Sequence, residues 1–198
     1  EAAGVVGAGG AGFPTHVKAR AAADVVIANG VECEPVLAKD KAIMRARPDD
    51  VAQGLAVMMG CVGASRGIIA VKRKNSREVD AMKAAARAYA NVTVAEVGDY
   101  YPAGDEHVLV YELTGRVVPA GGIPLRAGAV VSNVETLLNV ANAVRDGAPV
   151  THKYVTVAGE VKRPGTFRAP VGASLAQLIE AAGGVRESLG GRFEVLLD

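Results

Sequence analysis

The chain has 198 residues, with 22 Lys and Arg against 21 Asp and Glu; half of its residues are hydrophobic but only 4% are aromatic. The balanced charge gives no electrostatic argument for nucleic-acid binding, and no apolar run approaches the roughly 18 residues of a membrane span. Two cysteines, Cys33 and Cys61, are too few for a disulfide framework and cannot by themselves hold an iron–sulfur cluster, which takes about four thiolates.

The length fits one large domain, or a medium domain with a small companion. The first residues contain no basic segment followed by an apolar stretch, so we expect no signal peptide and a cytoplasmic setting. A chain that opens on Glu1 rather than Met is consistent with a fragment of a longer protein.

Strands and helices are predicted to alternate over the first three quarters of the chain. Short apolar runs predict buried strands at 24–28 and 67–71, and further strands are predicted at 91–97 and 129–131. Helices are predicted at 39–45, 48–59 and 75–89, then one that stops at Gly115 and one that ends near Gly147. This alternation predicts an α/β fold, with a Rossmann-like, largely parallel sheet flanked by helices.

Two capping boxes are predicted from Ser or Asn followed three residues later by Glu. Asn75 with Glu78 would open the third of these helices, and Ser132 with Glu135 would open the last one.

The pattern changes near residue 148. Alternating residues 154–157, a turn at 163–165 and residues 167–171 predict two strands, and a helix capped by Ser174 and Gln177 follows. A last strand is predicted at 193–196. We therefore expect a domain at 1–148 and a small α+β module at 149–198.

The glycine run near the start has the spacing Gly-x-Gly-x-x-Gly at Gly7, Gly9 and Gly12. Without Cβ atoms, its backbone N–H groups can approach a phosphate closely. Pro14 suits a first helical position, and Lys18 would then lie about one turn inside, within reach of a phosphate. The spacing alone is also met by an ordinary tight turn beneath a helix.

A classical dinucleotide-binding Rossmann domain without flavin is the sharper alternative. It requires a strand before the glycines and an acidic residue roughly 20 positions after them, and Glu32 lies at that distance from Gly12. Two features weaken it: Phe13 and Pro14 interrupt the passage from glycines to helix, and the loop 29–35 is more polar than one ribose-binding acid requires.

Other polar segments follow predicted strands. In the loop 29–35, Glu32 and Glu34 could accept hydrogen bonds from ribose hydroxyls or a nicotinamide amide, or simply form a solvated connection. Asp105 and Glu106 have the same ambiguity, since acids before a helix are good caps. The amide of Asn133 could reach a flavin ring or satisfy the backbone.

No catalytic residue and no metal site are predicted. The three histidines, His16, His107 and His152, show no metal-ligand spacing. Cys33 lies between two glutamates, and flanking carboxylates suppress a thiolate. The chain has no Ser-His-Asp pattern and no Walker lysine.

Taken together and in order, these segments resemble one flavoprotein family. It includes the C subunit of the Rnf electron-transport complex, the cobalamin reductase of propanediol-utilisation microcompartments and the NADH-oxidising subunit of respiratory complex I. The segments that carry the resemblance are 7–18, 29–35, 101–106, 113–116 with Pro119, and 132–136. The tail, 153–184, resembles the soluble-ligand-binding β-grasp module that follows the flavin domain in this family. The branch nearest in character is the microcompartment reductase.

The resemblance implies FMN and NADH as cofactors, with residues matched position by position. The implied FMN contacts are Gly7, Gly9, Gly10, Gly12, Lys18, Asn29, Glu32, Gly104, Asp105, Glu106, Ser132, Asn133 and Thr136. The implied NADH contacts are Phe13, Glu34, Tyr101 and Glu106. Two positions depart from the respiratory-complex pattern: Val31 replaces an acidic residue, and Ser132 replaces the first of two asparagines.

The implied activity is hydride transfer from NADH to FMN, followed by electron transfer to iron–sulfur centres or a corrinoid. The clusters would lie in a C-terminal part beyond Asp198. Expected partners are a redox subunit or corrinoid protein, in a microcompartment or on a membrane complex, without nucleic acid or a direct membrane span. The protein would be cytoplasmic, in a microcompartment lumen or peripheral on a membrane complex. Two alternatives stay open: a flavin-free NAD-binding dehydrogenase, and a non-catalytic docking module on a degenerate flavin fold.

Overall fold

The computed structural model describes residues 1–186. Its strands are β1 (Val25–Gly30), β2 (Arg66–Lys72), β3 (Val92–Val97), β4 (Ala129–Asn133), β5 (His152–Val157) and β6 (Gly165–Pro170). Its α-helices are α1 (Thr15–Ala19), α2 (Lys39–Ala46), α3 (Pro48–Val62), α4 (Ser76–Ala86), α5 (Glu106–Thr114), α6 (Val134–Asp146) and α7 (Leu175–Ala181). A 3₁₀ turn, Pro124–Ala127, precedes β4.

The chain forms two compact units. The first comprises Glu1–Glu34 and Asp40–Val150, and the second comprises Pro35–Lys39 with the chain from Thr151 onward. In the first unit, four parallel strands form a sheet in the order β3-β2-β1-β4. The predicted α/β fold with a parallel, helix-flanked sheet is therefore confirmed.

The central strands are buried because helices cover both faces of the sheet. In β1, Val25, Val26, Ile27 and Ala28 are all at most 1% exposed, as expected for a strand covered on both sides. One face packs against α5, where Leu109 and Val110 join the core around the odd-numbered residues of β1 and β4. The apolar runs of β1, β2 and β4 thus form buried strands, whereas β3, at the edge of the sheet, exposes Thr93 and Glu96.

Helices α3 and α6 pack closely at a glycine. A Cβ atom at Gly54 would lie 1.9 Å from the carbonyl oxygen of Leu137, a distance that no side chain can adopt. Ionic contacts support the same helix pair: the carboxylate of Asp50 accepts hydrogen bonds from Arg47 and Arg145. Burial raises the pKa of the Asp50 carboxyl, but the hydrogen bonds from Arg145 and Arg47 outweigh it and hold the pKa below its usual value.

The two capping boxes predicted in the first unit are both wrong. The Asn75 side chain makes no capping bond to α4, and Glu78 pairs instead with Arg45, its Oε1 lying 2.9 Å from the guanidinium Nε. Helix α4 also ends at Ala86 rather than Tyr89, because residues 87–89 continue in tighter i→i−3 hydrogen bonds.

The second error is a shift of one residue at α6. Ser132 belongs to β4, and the residue that caps α6 is Asn133, whose side-chain oxygen accepts from the backbone N–H of Glu135. Both Ser and Asn are good N-caps, so the extent of β4 decides between them. The strand runs two residues further than its apolar run, 129–131.

In the second unit, β5 and β6 form an antiparallel hairpin, and the segment Pro35–Lys39 joins it through a hydrogen bond from Ala38 N–H to Thr156 Oγ1 (3.2 Å). The capping box predicted for α7 is confirmed, since Ser174 and Gln177 bond reciprocally. The strand predicted at 193–196 lies outside the described residues. Among residues 1–186, no helix has the length and apolar character needed to span a bilayer.

We expect Gly54→Ala to lower the free energy of unfolding by about 2 kcal/mol, because the added methyl group forces α3 and α6 apart. Gly60→Ala is the matched control in the same helix: nothing lies within 4 Å of a Cβ there, and relief of the helical glycine should raise stability by up to about 1 kcal/mol. Urea unfolding of both variants tests this, and equal effects would contradict the described helix packing.

Candidate functional site

The strand order predicts a crevice at the carboxyl ends of β1 and β4. The chain passes from β1 to β2 to β3 in one direction, and β4 then lies on the other side of β1. In open parallel sheets, ligands bind at such a reversal point, beyond the carboxyl ends of the strands. Asn29 and Asn133 are register partners at these ends. The predicted site residues on β1 and β4 therefore meet at the expected position.

The glycine run forms a loop closed by an antiparallel bridge. Val6 pairs with Pro14, and Gly7 N–H donates to Phe13 O at 2.8 Å. Gly10 and Gly12 have φ of +115° and +61°, which glycine adopts without steric cost. Val6 forms only this bridge, so the strand that the classical Rossmann alternative requires before the glycines is not found among residues 1–14.

The first turn of α6 holds the glycine loop in place. The hydroxyl of Thr136 accepts a hydrogen bond from Ala8 N–H at 2.9 Å, and a Cβ at Gly9 would touch Asn133 Cβ at 3.4 Å. By contrast, nothing lies within 4 Å of a Cβ built at Gly10 or Gly12. The loop is therefore anchored on the side of α6 and open on the side of Gly10 and Gly12, where a phosphate could approach the backbone.

Lys18 brings a positive charge to the end of β4. Its Nζ donates to the carbonyl oxygen of Val131 at 2.6 Å and lies 3.4 Å from Oε1 of Glu106. The same ammonium lies 5.5 Å from the centre of the Phe13 ring, within cation–π range. Three predicted contacts, Phe13, Lys18 and Glu106, are thus brought together.

The loops after β1 and β3 interlock. Asn29 donates from Nδ2 to the carbonyl oxygen of Gly104 at 2.9 Å and accepts from Val31 N–H at 3.0 Å. Gly104 N–H in turn donates to the sulfur of Cys33 at 2.9 Å. A Cβ at Gly104 would lie 2.1 Å from Val31 O, so only glycine fits here. The side chain of Asn29 is therefore occupied in joining the loops.

The predicted acidic residues have different surroundings. Asp105 caps α5, accepting from the N–H groups of His107 and Val108, as the alternative interpretation of this motif proposed. The Glu32 side chain is only 7% exposed, and its Oε1 accepts from Asp40 N–H at 3.0 Å. Glu34 is exposed, and Tyr101 is 76% exposed.

Two polar groups were missed or misjudged from the sequence. Asp40, in the first turn of α2, is 4% exposed and accepts from Asn133 Nδ2 at 2.7 Å. Little in the sequence indicated this contact, since acidic residues are common in the first turn of a helix. Ser132 is 3% exposed, and its hydroxyl has no hydrogen-bond partner within the described chain. Within residues 1–186, no group of three or more His, Cys, Asp or Glu could hold a metal ion.

Residues 1–142 match the family described as the Nuo51 FMN-binding domain, and residues 154–192 match the SLBB domain. The chain belongs to the Nuo51 FMN-binding domain family. The family expected from the sequence and its cofactor FMN are therefore confirmed. An open glycine loop, a nearby lysine and a buried unpartnered hydroxyl at the strand ends fit a phosphate-bearing polar ligand such as FMN.

The similar proteins are oxidoreductases by name. The chain is 43% identical to cobalamin reductase PduS of Citrobacter freundii over 183 residues, which cover 92% of this chain and 40% of that protein. A second relative is the C subunit of the Na⁺-translocating ferredoxin:NAD⁺ oxidoreductase complex of Acetobacterium woodii. The chain is 36% identical to it over 187 residues, which cover 92% of this chain and 42% of that relative.

A solved structure also resembles this Nuo51-family chain. It is the NAD⁺-reducing [NiFe]-hydrogenase in the air-oxidised state, with a TM-score of 0.75 and 30% identity over 91% of this chain and 37% of that one. The chain spans about two fifths of the length of the proteins that it matches.

We expect Thr136→Val to loosen the glycine loop, because Ala8 N–H loses its acceptor. A bond of about 1 kcal/mol corresponds to about fivefold faster amide hydrogen exchange at Ala8. Thr136→Ser keeps the hydroxyl and should leave that exchange rate near the wild-type value. Equal exchange rates at Ala8 in the Val and Ser variants would show that the loop is held by other contacts.

Proposed function

We propose that this Nuo51-family domain is an electron-transfer module that binds FMN beyond the carboxyl ends of β1 and β4 and receives hydride from NADH. The main support is the convergence of the glycine loop, Lys18 and Asn133 at the sheet's reversal point. The similar proteins add support, since the names of two of them include NAD⁺. When bound, FMN accepts a hydride and passes electrons on one at a time.

The residues of the chain would bind and orient the flavin rather than exchange protons with it. The exposed backbone of Gly10 and Gly12 would cradle the phosphate, and Lys18 would add a charge-assisted hydrogen bond to it. Thr136 holds the glycine loop through its hydrogen bond from Ala8 N–H, and Asn133 lies beside Gly9. The proposed FMN contacts are Gly7, Gly9, Gly10, Gly12, Lys18, Asn29, Glu32, Gly104, Asp105, Glu106, Ser132, Asn133 and Thr136.

Of these contacts, Asn29, Asp105 and Asn133 are already hydrogen-bonded within the protein, so their part is mainly to shape the site. The buried hydroxyl of Ser132 lacks a partner and has bonding capacity to offer. The dinucleotide would lie against Phe13, Glu34, Tyr101 and Glu106. Glu34 and Tyr101 are both exposed and can contact a mobile substrate.

We further propose residues 1–148 as the FMN- and NADH-binding domain and residues 149–198 as a soluble-ligand-binding β-grasp module, in agreement with the SLBB match. In the longer protein, iron–sulfur centres would carry electrons to a redox subunit or a corrinoid. The identities of 43% and 42% to two PduS proteins, against 36% to Rnf-type C subunits, favour the cobalamin reductase branch. The site of action would then be cytoplasmic, in a microcompartment or on a membrane complex.

The test is a visible spectrum of the protein with added FMN, before and after NADH under anaerobic conditions. We expect a bound-flavin spectrum that NADH bleaches. Lys18→Met should raise the Kd for FMN at least about tenfold, because a charge-assisted bond contributes about 1.5–3 kcal/mol. Flavin fluorescence quenching gives that Kd.

The matched control is Lys83→Met, which removes an exposed lysine paired with Glu96 and should leave the Kd for FMN unchanged. Bound FMN that NADH fails to bleach would contradict the NADH assignment alone. A wild-type chain that binds no FMN would contradict the whole proposal and favour a degenerate flavin fold that serves for docking.

A further inference from the structure

Asp40 is a buried carboxylate that joins the two sides of the crevice. It lies in the first turn of α2 and is 4% exposed. Its Oδ2 accepts a hydrogen bond from Asn133 Nδ2 at the end of β4, and its backbone N–H donates to Glu32 Oε1 in the loop after β1. Asp40 therefore contacts one polar group at the carboxyl end of β4 and another in the loop after β1.

The bond to Asp40 fixes the orientation of the Asn133 amide. A carboxylate can only accept, so the Asn133 NH₂ group must face Asp40; the backbone N–H of Glu135 can only donate, so the Asn133 oxygen must face α6. These two bonds exclude the flipped amide. The side chain of Asn133 therefore has a single orientation, set by α2 on one side and α6 on the other.

The orientation of Asn133 matters because its amide nitrogen lies beside the glycine loop. A Cβ atom built at Gly9 would lie 3.4 Å from Asn133 Cβ and 3.9 Å from its Nδ2, and the neighbouring Ala8 N–H is bonded to Thr136 in the first turn of α6. Asp40, Asn133 and the loop proposed to hold the FMN phosphate are therefore neighbours in space.

Packing alone does not require a charge at this position. Burying a carboxylate is costly, and a well-packed apolar residue is often as stable or more stable. The carboxylate is useful where its hydrogen bond must fix a geometry, as it does at Asn133.

We propose that Asp40 is a positioning residue of the flavin site, which sets the Asn133 amide and the Glu32 carboxylate relative to each other across the crevice between β1 and β4. This inference rests on the proposed function, because it assigns Asp40 a part in binding FMN. Asp40 acts through Asn133 and Glu32.

Two substitutions at this position separate orientation from packing. In Asp40→Asn, the amide oxygen still accepts from Asn133 Nδ2, so we expect the Kd for FMN to stay within about threefold of wild type. Asp40→Leu has a similar size but no acceptor, and we expect the Kd to rise at least about tenfold. The backbone bond to Glu32 is available in both variants. Flavin fluorescence quenching measures the Kd, and thermal unfolding without FMN measures stability.

Asp50→Asn is the control for a loss of stability without a loss of site geometry. Asp50 is also buried, at 9% exposed, but its partners are Arg47 and Arg145 rather than site residues. We expect this variant to lose stability and to bind FMN with the wild-type Kd. If Asp40→Leu binds like wild type, or if FMN binding falls with the melting temperature in both variants alike, the inference is overturned.

A reversed pair covers the case in which Asp40→Leu does not fold. Asp40→Asn combined with Asn133→Asp restores the hydrogen bond in the opposite direction and keeps an oxygen to cap α6. We expect the wild-type melting temperature and a Kd for FMN within about threefold of wild type, because the pair keeps its hydrogen bond and its net charge. A Kd raised at least about tenfold at the wild-type melting temperature would overturn the inference. The wild-type titration is made first, so failure of the proposed function itself is recognised separately.

Discussion

The position of β4 beside β1, rather than beside β3, is the constraint on which the rest of the site depends. It places the reversal point of the strand order at β1 and β4, near whose carboxyl ends Asn29 and Asn133 are register partners. Other features of the site are placed relative to these two strands: the glycine loop rests on the first turn of α6, and Lys18 donates to the carbonyl oxygen of Val131 in β4.

The crevice is lined by loops that bind one another through side chains and backbone. Asn29 and Cys33 fasten the turn at Gly104, and Asp40 fastens Asn133 to the loop containing Glu32. Many polar groups of these segments therefore already make hydrogen bonds within the protein before any ligand binds. What remains directed outward is the open side of the glycine loop, the exposed carboxylate of Glu34 and the ring of Tyr101. Such preorganisation lowers the entropic cost of binding.

The sequence predicted the sheet well, because buried apolar runs such as 67–71 have a strong local signal. It misplaced the cap of α6, because Ser132 and Asn133 are both suitable caps and only the length of β4 decides between them. It missed Asp40, whose partner Asn133 is 93 positions away, and such a contact leaves no trace in local pattern. The resemblance proposed the site positions, but it could not say which of their side chains are already hydrogen-bonded within the fold.

The proposed position of FMN, beyond the carboxyl ends of β1 and β4, is tested by titrating FMN into isotope-labelled protein and following its backbone amide NMR signals. We expect shifts concentrated at the glycine loop, the end of β1, the turn at Gly104 and the first turn of α6. Shifts confined to β5 and β6, or no shifts at all at saturating FMN, would contradict it.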